Sequence, residues 1–348
     1  MTVHSNSRVS IIEVAKATNV SIQTVSRVIN QQSGVSVQTR ERILKAVEEL
    51  GYFPSRAAKA MRGTSQTLGI VGYGLELYGP SRTLIGAQRE ASRRNYGVIL
   101  ELVQDPEKVN IGAIFETLLS NHVDGIVWCI PEIGNNIEHV IARRDKLSVP
   151  LVFTDKLPTH QDLMVCSDNY LGGYTATRHL IDNGHRTIGL ITGPVSYLSA
   201  RERQRGWQAA LQEAGLSVNE QCIAEGDWGS QSGADSLQHL LERYVSMTAV
   251  FACNDQMALG VLHCAEQLGL RVPDDLAVVG FDDIPEATFF HPPLSSVRQD
   301  VVEMGRRAVD QIIQAIESNL MTGKYEPKLS VITPELVIRA SSRKSSGI

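Results

Sequence analysis

The sequence has few cysteines and no closely spaced cysteine pair. Its five cysteines, at positions 129, 166, 222, 253 and 264, form no CxxC motif. This argues against a zinc finger or a disulfide framework and favours a reducing compartment. No apolar run approaches membrane-spanning length, and the N-terminus lacks the basic-then-apolar pattern of a signal peptide. We therefore expect a cytoplasmic protein with no membrane partner.

Motifs of common enzymes and cofactor sites are missing as well. There is no GxSxG elbow, and no histidine lies near an obvious nucleophile. Gly72 and Gly74 give GxG without the third glycine of a dinucleotide fingerprint. The spacing of Asp282, Asp283 and His291 matches no metal-binding loop. The sequence therefore predicts a protein that is not an enzyme and holds neither metal nor cofactor.

The chain does have length and an uneven charge. Its 348 residues, 43% apolar and 20% charged, suffice for two or three globular domains. Residues 1–63 carry nine Lys or Arg against four Glu, whereas the remainder carries 24 basic against 34 acidic side chains. A basic head on an acidic body is typical of a polyanion binder with a separate regulatory domain. Chance clustering on a solvated face is the alternative.

The basic head has the spacing of a helix–turn–helix. Apolar residues recur at helical intervals after Ser10, and residues 19–21 predict a short turn in which Ser21 caps a second helix. A third helix is predicted over about 37–50, with Ile43, Leu44, Val47 and Leu50 as its apolar stripe.

The second predicted helix has an inward apolar face and an outward polar one. Val25, Val28 and Ile29 share the first face, while Gln23 and Arg27 lie four apart on the second. Gln can pair bidentately with adenine and Arg with guanine, so this face suits base edges in a major groove. Three further side chains of this helix are of a type that donates to phosphates: Thr24, Ser26 and Asn30. A three-helix bundle that binds no DNA is the alternative.

Several motifs follow one another in a fixed order along the chain. They are VSRVIN (25–30), LGYFPSRAAKAM (50–61), GPVSYLSARERQRGW (193–207), EGDWGSQSG (225–233), NDQMALG (254–260) and VVGFDD (278–283). In this order they resemble the lactose-repressor/galactose-repressor family, and within it the lactose repressor most closely. The likeness covers nearly the whole chain.

The resemblance implies which residues of the head contact DNA. Ile22, Gln23 and Arg27 are expected to read bases, although Ile22 stands where the lactose repressor has tyrosine. Ser21, Thr24 and Asn30 are expected to contact the DNA backbone.

The segment that follows the head resembles the family's hinge helix. Residues 55–61 are expected to form two turns, with Ser55 near the start and Ala58 small enough for two such helices to approach each other. Met61, where family members have leucine, is expected to wedge into the minor groove. A disordered linker is the alternative for this segment.

From about Leu68, short β-rich runs alternate with amphipathic helices. The runs span residues 68–72, 97–103, 124–130, 150–154, 187–192, 248–253 and 276–281. The alternation predicts parallel, doubly wound α/β sheets, and the length of this part predicts two lobes. The resemblance implies the two-lobed fold of periplasmic sugar-binding proteins (type I).

The predicted architecture is therefore α + α/β, with three parts along the chain. The helix–turn–helix head is placed at 1–50, the hinge at 51–66, and an effector-binding and dimerisation body at 67–348. Within the body, the first lobe is expected at about 67–166 and 295–328, and the second at about 167–294 and 329–342.

Polar residues follow several of the predicted strands, where open α/β sheets bind ligands. Asp155, Asn254 and Asp282 hold such positions, and Arg201 and Trp228 lie in other loops. Carboxylates accept hydrogen bonds from sugar hydroxyls, Arg and Asn donate them, and Trp stacks on the apolar face of a pyranose. Helix caps, a core tryptophan and a solvated arginine are the alternatives.

By resemblance, ten residues line the effector site: Tyr73, Leu77, Pro80, Asp155, Tyr197, Arg201, Trp228, Asn254, Asp282 and Gln299. Tyr73 and Tyr197 stand where the lactose repressor has serines.

These features predict a nucleoid-associated repressor of sugar-metabolism genes that binds a palindromic double-stranded operator as a homodimer. A galactoside or related glycoside between the lobes is expected to release it. The C-terminal VIRASSRKSSGI has no heptad, so a dimer rather than a tetramer is expected. A co-repressor-dependent regulator of the purine type and a periplasmic-type solute-binding protein are the alternatives.

Overall fold

The protein is represented by a computed structural model that describes residues 9–29, 32–52, 64–144, 146–156 and 161–343. By its internal contacts the chain divides into two units, a head of residues 1–66 and a body of residues 67–348.

The described residues of the head form three helices, α1 (Ile11–Ala17), α2 (Ile22–Ile29) and α3 (Val37–Leu50). At the start of α1, the Glu13 carboxylate accepts hydrogen bonds from the Ser10 backbone N–H (2.7 Å) and hydroxyl (2.9 Å). Gly51 ends α3 in the left-handed conformation (φ 64°), which glycine adopts without strain. Together the helices enclose a small apolar core: Val14, Ala15, Val25, Val28, Ile43 and Tyr52.

The predicted apolar stripe of α3 is only partly buried. Ile43 is fully buried, but Leu44 and Leu50 are 49% and 38% exposed. The reason is geometric, because α1 and α2 are short and cover only a narrow strip of α3.

The first lobe of the body is a six-stranded parallel sheet with the order β11-β5-β4-β3-β1-β2. Its strands are β1 (Thr67–Gly72), β2 (Gly97–Leu102), β3 (Gly125–Trp128), β4 (Leu151–Thr154), β5 (Leu163–Ser167) and β11 (Lys328–Ile332). Its helices are α4 (Tyr78–Arg93), α5 (Ile111–Ser120), α6 (Asn136–Arg144) and α11 (Val301–Thr322). Apolar clusters cover both faces of this sheet.

The second lobe repeats this arrangement with the order β12-β10-β9-β8-β6-β7, in which only β12 runs antiparallel to its neighbour. Its strands are β6 (Ile188–Thr192), β7 (Ile223–Glu225), β8 (Ala249–Ala252), β9 (Ala277–Asp282), β10 (Ser295–Arg298) and β12 (Glu335–Val337). Its helices are α7 (Asn169–Asp182), α8 (Leu198–Glu213), α9 (Ser230–Arg243) and α10 (Asp255–Gln267). The predicted head and two parallel-sheet lobes are thus confirmed.

The chain crosses between the lobes later than predicted at two places. Residues 295–298 form β10 of the second sheet, and residues 328–332 form β11 of the first. The chain leaves the second lobe only after β10, between β10 and α11. It leaves the first lobe only after β11, between β11 and β12. The predicted lobe limits near 294 and 328 were therefore several residues early.

Helices α4 and α11 pack backbone against backbone through glycines. A Cβ on Gly305 would lie 1.9 Å from the Thr83 carbonyl oxygen, and a Cβ on Gly86 would lie 2.0 Å from that of Val302. Real side chains do not tolerate such distances, so the helix pair requires glycine at both positions.

We predict that Gly305→Ala lowers the free energy of unfolding of the body by about 1–3 kcal/mol, because the added methyl forces the helices apart. Gly112→Ala in α5 is the matched control, since its Cβ would meet nothing closer than 3.4 Å. Urea unfolding followed by circular dichroism measures both variants. Equal stability of the two would contradict the close helix contact.

Candidate functional site

The head presents an exposed polar face on α2. Gln23 and Arg27 are exposed on this helix, and the Ile22 side chain is 43% exposed. Ser21 precedes the helix, where its hydroxyl accepts a hydrogen bond from the Thr24 backbone N–H at 3.1 Å, so its predicted capping role is confirmed. The face therefore offers an amide, a guanidinium and an apolar side chain, the groups that distinguish base pairs in a major groove.

Some predicted DNA contacts do not lie on this face. Ser26 is only 7% exposed and points into the head, because it follows Val25 on the inward side of α2. It is thus not placed to contact a phosphate. Asn30, Ser55, Ala58 and Met61 lie outside the described residues.

The C-terminal end of α2 is held by α3. The Arg40 guanidinium donates to the backbone carbonyl oxygens of Val28 (3.4 Å) and Gln32 (2.7 Å). These bonds satisfy carbonyl groups that a helix end leaves without partners. Arg40 therefore fixes the helix that presents Gln23 and Arg27.

In the body, the carboxyl ends of the strands meet around a cleft. Of the ten predicted effector residues, eight line this cleft: Leu77, Pro80, Asp155, Tyr197, Trp228, Asn254, Asp282 and Gln299. Other lining residues were not predicted, among them Tyr78, Cys129, Asn169, Ser199 and Arg203.

A buried arginine lies at the floor of the cleft. Arg203 is 5% exposed, donates from Nε to Asn169 Oδ1 at 2.9 Å, and hydrogen bonds to the Cys253 carbonyl oxygen. Its guanidinium also stacks 3.6 Å from the centre of the Phe281 ring. These contacts fix the charge in place and orient it toward the cleft.

Two carboxylates share the field of this cation. Burial raises the pKa of Asp155, and the nearby Arg203 opposes that rise. Burial likewise raises the pKa of Asp282 to about 6, against Arg203 and a 2.5 Å hydrogen bond from Gln299 Nε2. Asp155 follows β4 of the first lobe and Asp282 ends β9 of the second, so both lobes contribute an acid to one cation.

The aromatic wall of the cleft is built from Trp228 and Tyr197. Their rings meet edge to face at 5.8 Å, and the Tyr197 hydroxyl donates to the Tyr73 hydroxyl at 3.3 Å. Gly193 makes room for the indole, because a Cβ there would lie 2.1 Å from Trp228 Cζ2. The wall offers flat apolar surface beside the carboxylates.

Asn254 lines the cleft, but its side chain is engaged within the protein. Its Oδ1 accepts from the Met257 backbone N–H as the cap of α10, and its Nδ2 donates to the Trp228 carbonyl oxygen and to Gln256 Oε1. Asn254 is therefore placed to hold the Trp228 loop rather than to donate to a ligand.

Arg201 and Tyr73 are the two predicted residues that do not line the cleft. The Arg201 guanidinium donates to the backbone carbonyl oxygens of Val195 (3.1 Å) and Ser196 (2.7 Å). On α8 the buried side carries Ser199, Arg203 and Trp207, whereas Arg201 is half a turn away. Helical spacing back from Trp207 is the sequence signal that points to Arg203.

Backbone strain is concentrated at the same cleft. Asp155 (φ 52°), Trp228 (φ 73°) and Asp282 (φ 111°) are non-glycine residues in left-handed conformations. Such conformations cost on the order of 1–3 kcal/mol each and are typical of functional sites. All three residues line the cleft, so the unusual backbone conformations coincide with it.

Two further properties of the described residues bear on function. None of the described helices is long and apolar enough to cross a membrane. Within the same part of the chain, no group of three or more His, Cys, Asp or Glu is arranged to hold a metal ion.

Two family models match the chain. The one described as bacterial regulatory proteins, lacI family, covers residues 10–55, and the one described as a periplasmic binding protein-like domain covers residues 177–342. The first match includes the exposed face of α2, and the second includes Arg203, Trp228 and Asp282.

Curated relatives match along almost the whole chain. The HTH-type transcriptional repressor PurR of Haemophilus influenzae (strain PittEE) is 33% identical over 334 residues, covering 95% of this chain and 98% of that protein. PurR of Histophilus somni (strain 129Pt) is 34% identical over 335 residues, with the same shares of each chain.

Solved structures match over a similar extent. The lac repressor dimer bound to operator and the anti-inducer ONPF is 30% identical with a TM-score of 0.86, covering 97% of this chain and 99% of that one. The complex of the transcriptional regulator CelR with cellobiose is 31% identical with a TM-score of 0.70, covering 96% and 100%.

The raised pKa of Asp282 predicts a pH-dependent stability. Because its folded pKa (about 6) exceeds the ordinary pKa of an aspartate side chain, the folded protein binds this proton more tightly, and the free energy of unfolding falls as pH rises from 4 to 7. We predict that Asp282→Asn, which keeps an acceptor for Gln299, is more stable than wild type at pH 7 by up to about 3 kcal/mol. At pH 4 the two should be nearly equal, and urea unfolding at both pH values measures the difference. A difference that is the same at pH 4 and pH 7 would contradict the assignment.

Proposed function

The chain belongs to the lacI family of bacterial regulatory proteins, and we propose that within this family it is a cytoplasmic repressor whose operator binding is controlled by a sugar. Membership in a family of DNA-binding transcriptional repressors is shown by the whole-length relatives and by the family model over the head. The sugar, the palindromic operator and the homodimer are the parts that the proposal adds.

The observation that carries the sugar proposal is the donor and acceptor set of the cleft. Asp155 and Asp282 accept hydrogen bonds, Arg203 and Gln299 donate them, and the Trp228 ring offers an apolar face. A pyranose has the matching groups, with hydroxyls around its edge and C–H groups on its face. A site of this kind rejects a wrong hydroxyl pattern because an unpaired buried polar group is costly. A galactoside or related glycoside is the proposed ligand.

The proposed mechanism couples this cleft to the head. A sugar that contacts both lobes favours one relative arrangement of them, and a two-fold dimer then changes the spacing of its two heads on the operator. Complete switching requires the sugar to favour the low-affinity arrangement by about 5 kcal/mol, summed over the dimer. The solved lac repressor dimer bound to operator supports a dimer as the unit that binds DNA.

A second candidate is a repressor of the purine type, in which the small molecule strengthens DNA binding. It is favoured by the relatives named PurR, which match 95% of this chain. The aromatic wall of Trp228 and Tyr197 also suits a planar base. The two candidates differ in the sign of the ligand effect.

We predict that Arg27→Ala weakens binding to the cognate operator by about 1–3 kcal/mol while binding to random DNA changes little, because a base contact carries sequence preference. Arg42→Ala is the matched control, since it removes the same charge from an exposed position on α3. Salt-controlled gel shifts on both DNAs measure the two variants. A uniform loss on both DNAs would make Arg27 a phosphate contact.

We predict that one member of a panel of galactosides, other glycosides and purine bases releases the wild-type protein from its operator, and that this member is a glycoside. Asp155→Asn should raise the half-releasing concentration by roughly tenfold or more, because an acceptor for a ligand hydroxyl is lost. Operator titration by fluorescence anisotropy measures both. Tighter operator binding with a purine would favour the second candidate, and no response to any compound would exclude control by sugar.

A further inference from the structure

The two lobes are joined along one rim of the cleft by contacts that do not belong to the crossing segments. In the first lobe, residues 131–134 follow β3, and in the second, residues 195–198 lead into α8. Ile133 and Tyr197 form an isolated antiparallel bridge. The Leu198 N–H donates to the Glu132 carbonyl oxygen at 3.0 Å, and the Gly134 N–H donates to that of Ser196 at 3.4 Å. A short antiparallel pairing of backbone segments thus connects the two lobes.

Arg201 strengthens this pairing from the side. Its guanidinium donates twice to carbonyl oxygens of the 195–196 segment, and its Nη2 lies 3.5 Å from the Glu132 carboxylate of the other lobe. The Arg201 and Glu132 side chains are 38% and 20% exposed, so the ion pair is partly shielded from water. One arginine therefore both shapes the second-lobe segment and ties it to the first lobe.

Each side of the bridge is also held from within its own lobe. Asn136, which is 1% exposed, accepts from the Ile133 N–H at 3.2 Å and donates to the Pro131 carbonyl oxygen at 2.9 Å. On the other side, the Val195 N–H donates to the Glu225 carboxylate at 3.0 Å. The paired segments are thus preformed, which lowers the entropy lost when the lobes meet.

We propose that Arg201 and Glu132 are positioning residues, forming a rim clasp that pairs the lobes and sets Tyr197 and the first turn of α8 against the bound ligand. That turn carries Ser199 and leads to Arg203, both of which line the cleft. Tyr197, in the middle of the bridge, is held a second time by its bond to Tyr73 of the first lobe. This role rests on the proposed function, because it concerns the wall of the same effector cleft.

The clasp acts before any ligand is present, and this makes it testable in the free protein. Hydrogen–deuterium exchange of the full chain, without DNA or ligand, measures how often the Leu198 amide leaves its partner. In Arg201→Ala we expect this amide to exchange about tenfold faster, through loss of an ion pair and two carbonyl bonds. Glu132→Ala should also speed the exchange. The double variant should be no faster than Arg201→Ala, because the two side chains share one interaction.

Arg205→Ala is the matched control. It removes the same side chain from the same helix, but its ion pair with Glu202 (2.8 Å) lies within the second lobe. The amide of Cys253, bonded to the Ile191 carbonyl oxygen between β6 and β8, reports whether that lobe remains folded. Its exchange should be unchanged in every variant.

The rim clasp is contradicted if the Leu198 amide exchanges at the same rate in wild type, Arg201→Ala and Arg205→Ala. It is also contradicted if the increases in exchange rate caused by Glu132→Ala and Arg201→Ala multiply in the double variant. A third contradicting result is that Arg201→Ala speeds exchange of the Leu198 and Cys253 amides by the same factor, because Arg201 then stabilises only its own lobe. Neither DNA nor effector enters the measurement, so failure of the proposed function would leave the exchange result intact.

Discussion

The cleft of the body is arranged around the buried guanidinium of Arg203. Arg203 is almost fully covered, and its placement is possible only because Asn169, the Cys253 carbonyl and the Phe281 ring surround it. A buried charge without partners is strongly unfavourable, and these contacts supply partners for the guanidinium. Asp155 of the first lobe and Asp282 of the second lie in its field, which lowers the pKa of each against the larger rise that burial causes. One cation therefore partly offsets the cost of burying an acid from each lobe.

The same arrangement explains the chemistry of the ligand that we propose. Two carboxylates lie in the field of one guanidinium and line the cleft, where their oxygens offer acceptor positions. Hydroxyl groups of a sugar complete these positions without adding charge, and the edge-to-face pair of Tyr197 and Trp228 covers the apolar part of the ring. The positive φ values at Asp155, Trp228 and Asp282 are consistent with side chains whose orientation serves ligand binding as well as packing.

Sequence patterns predicted the fold and much of the cleft. Strong β-rich runs such as 276–281 predicted the central strands. The ends of these runs placed Asp155 and Asp282 at the carboxyl ends of strands. Short or edge strands such as β7 and β12 were missed, since three residues carry little periodic signal. The lobe crossings were misplaced because strand pairing, which no local pattern reveals, decides where a strand ends. Motif position pointed to Arg201, whereas the buried face of α8 carries Arg203 into the cleft.

We propose that ligand binding in the cleft and operator binding by the head are energetically coupled. Thermodynamic linkage requires that a ligand that weakens operator binding also binds more weakly to the operator complex, and by the same factor. Calorimetric titration of the effective glycoside into the free protein and into the operator complex measures this directly. We predict at least about tenfold weaker ligand binding in the complex. Equal affinities in the two titrations would contradict the coupling.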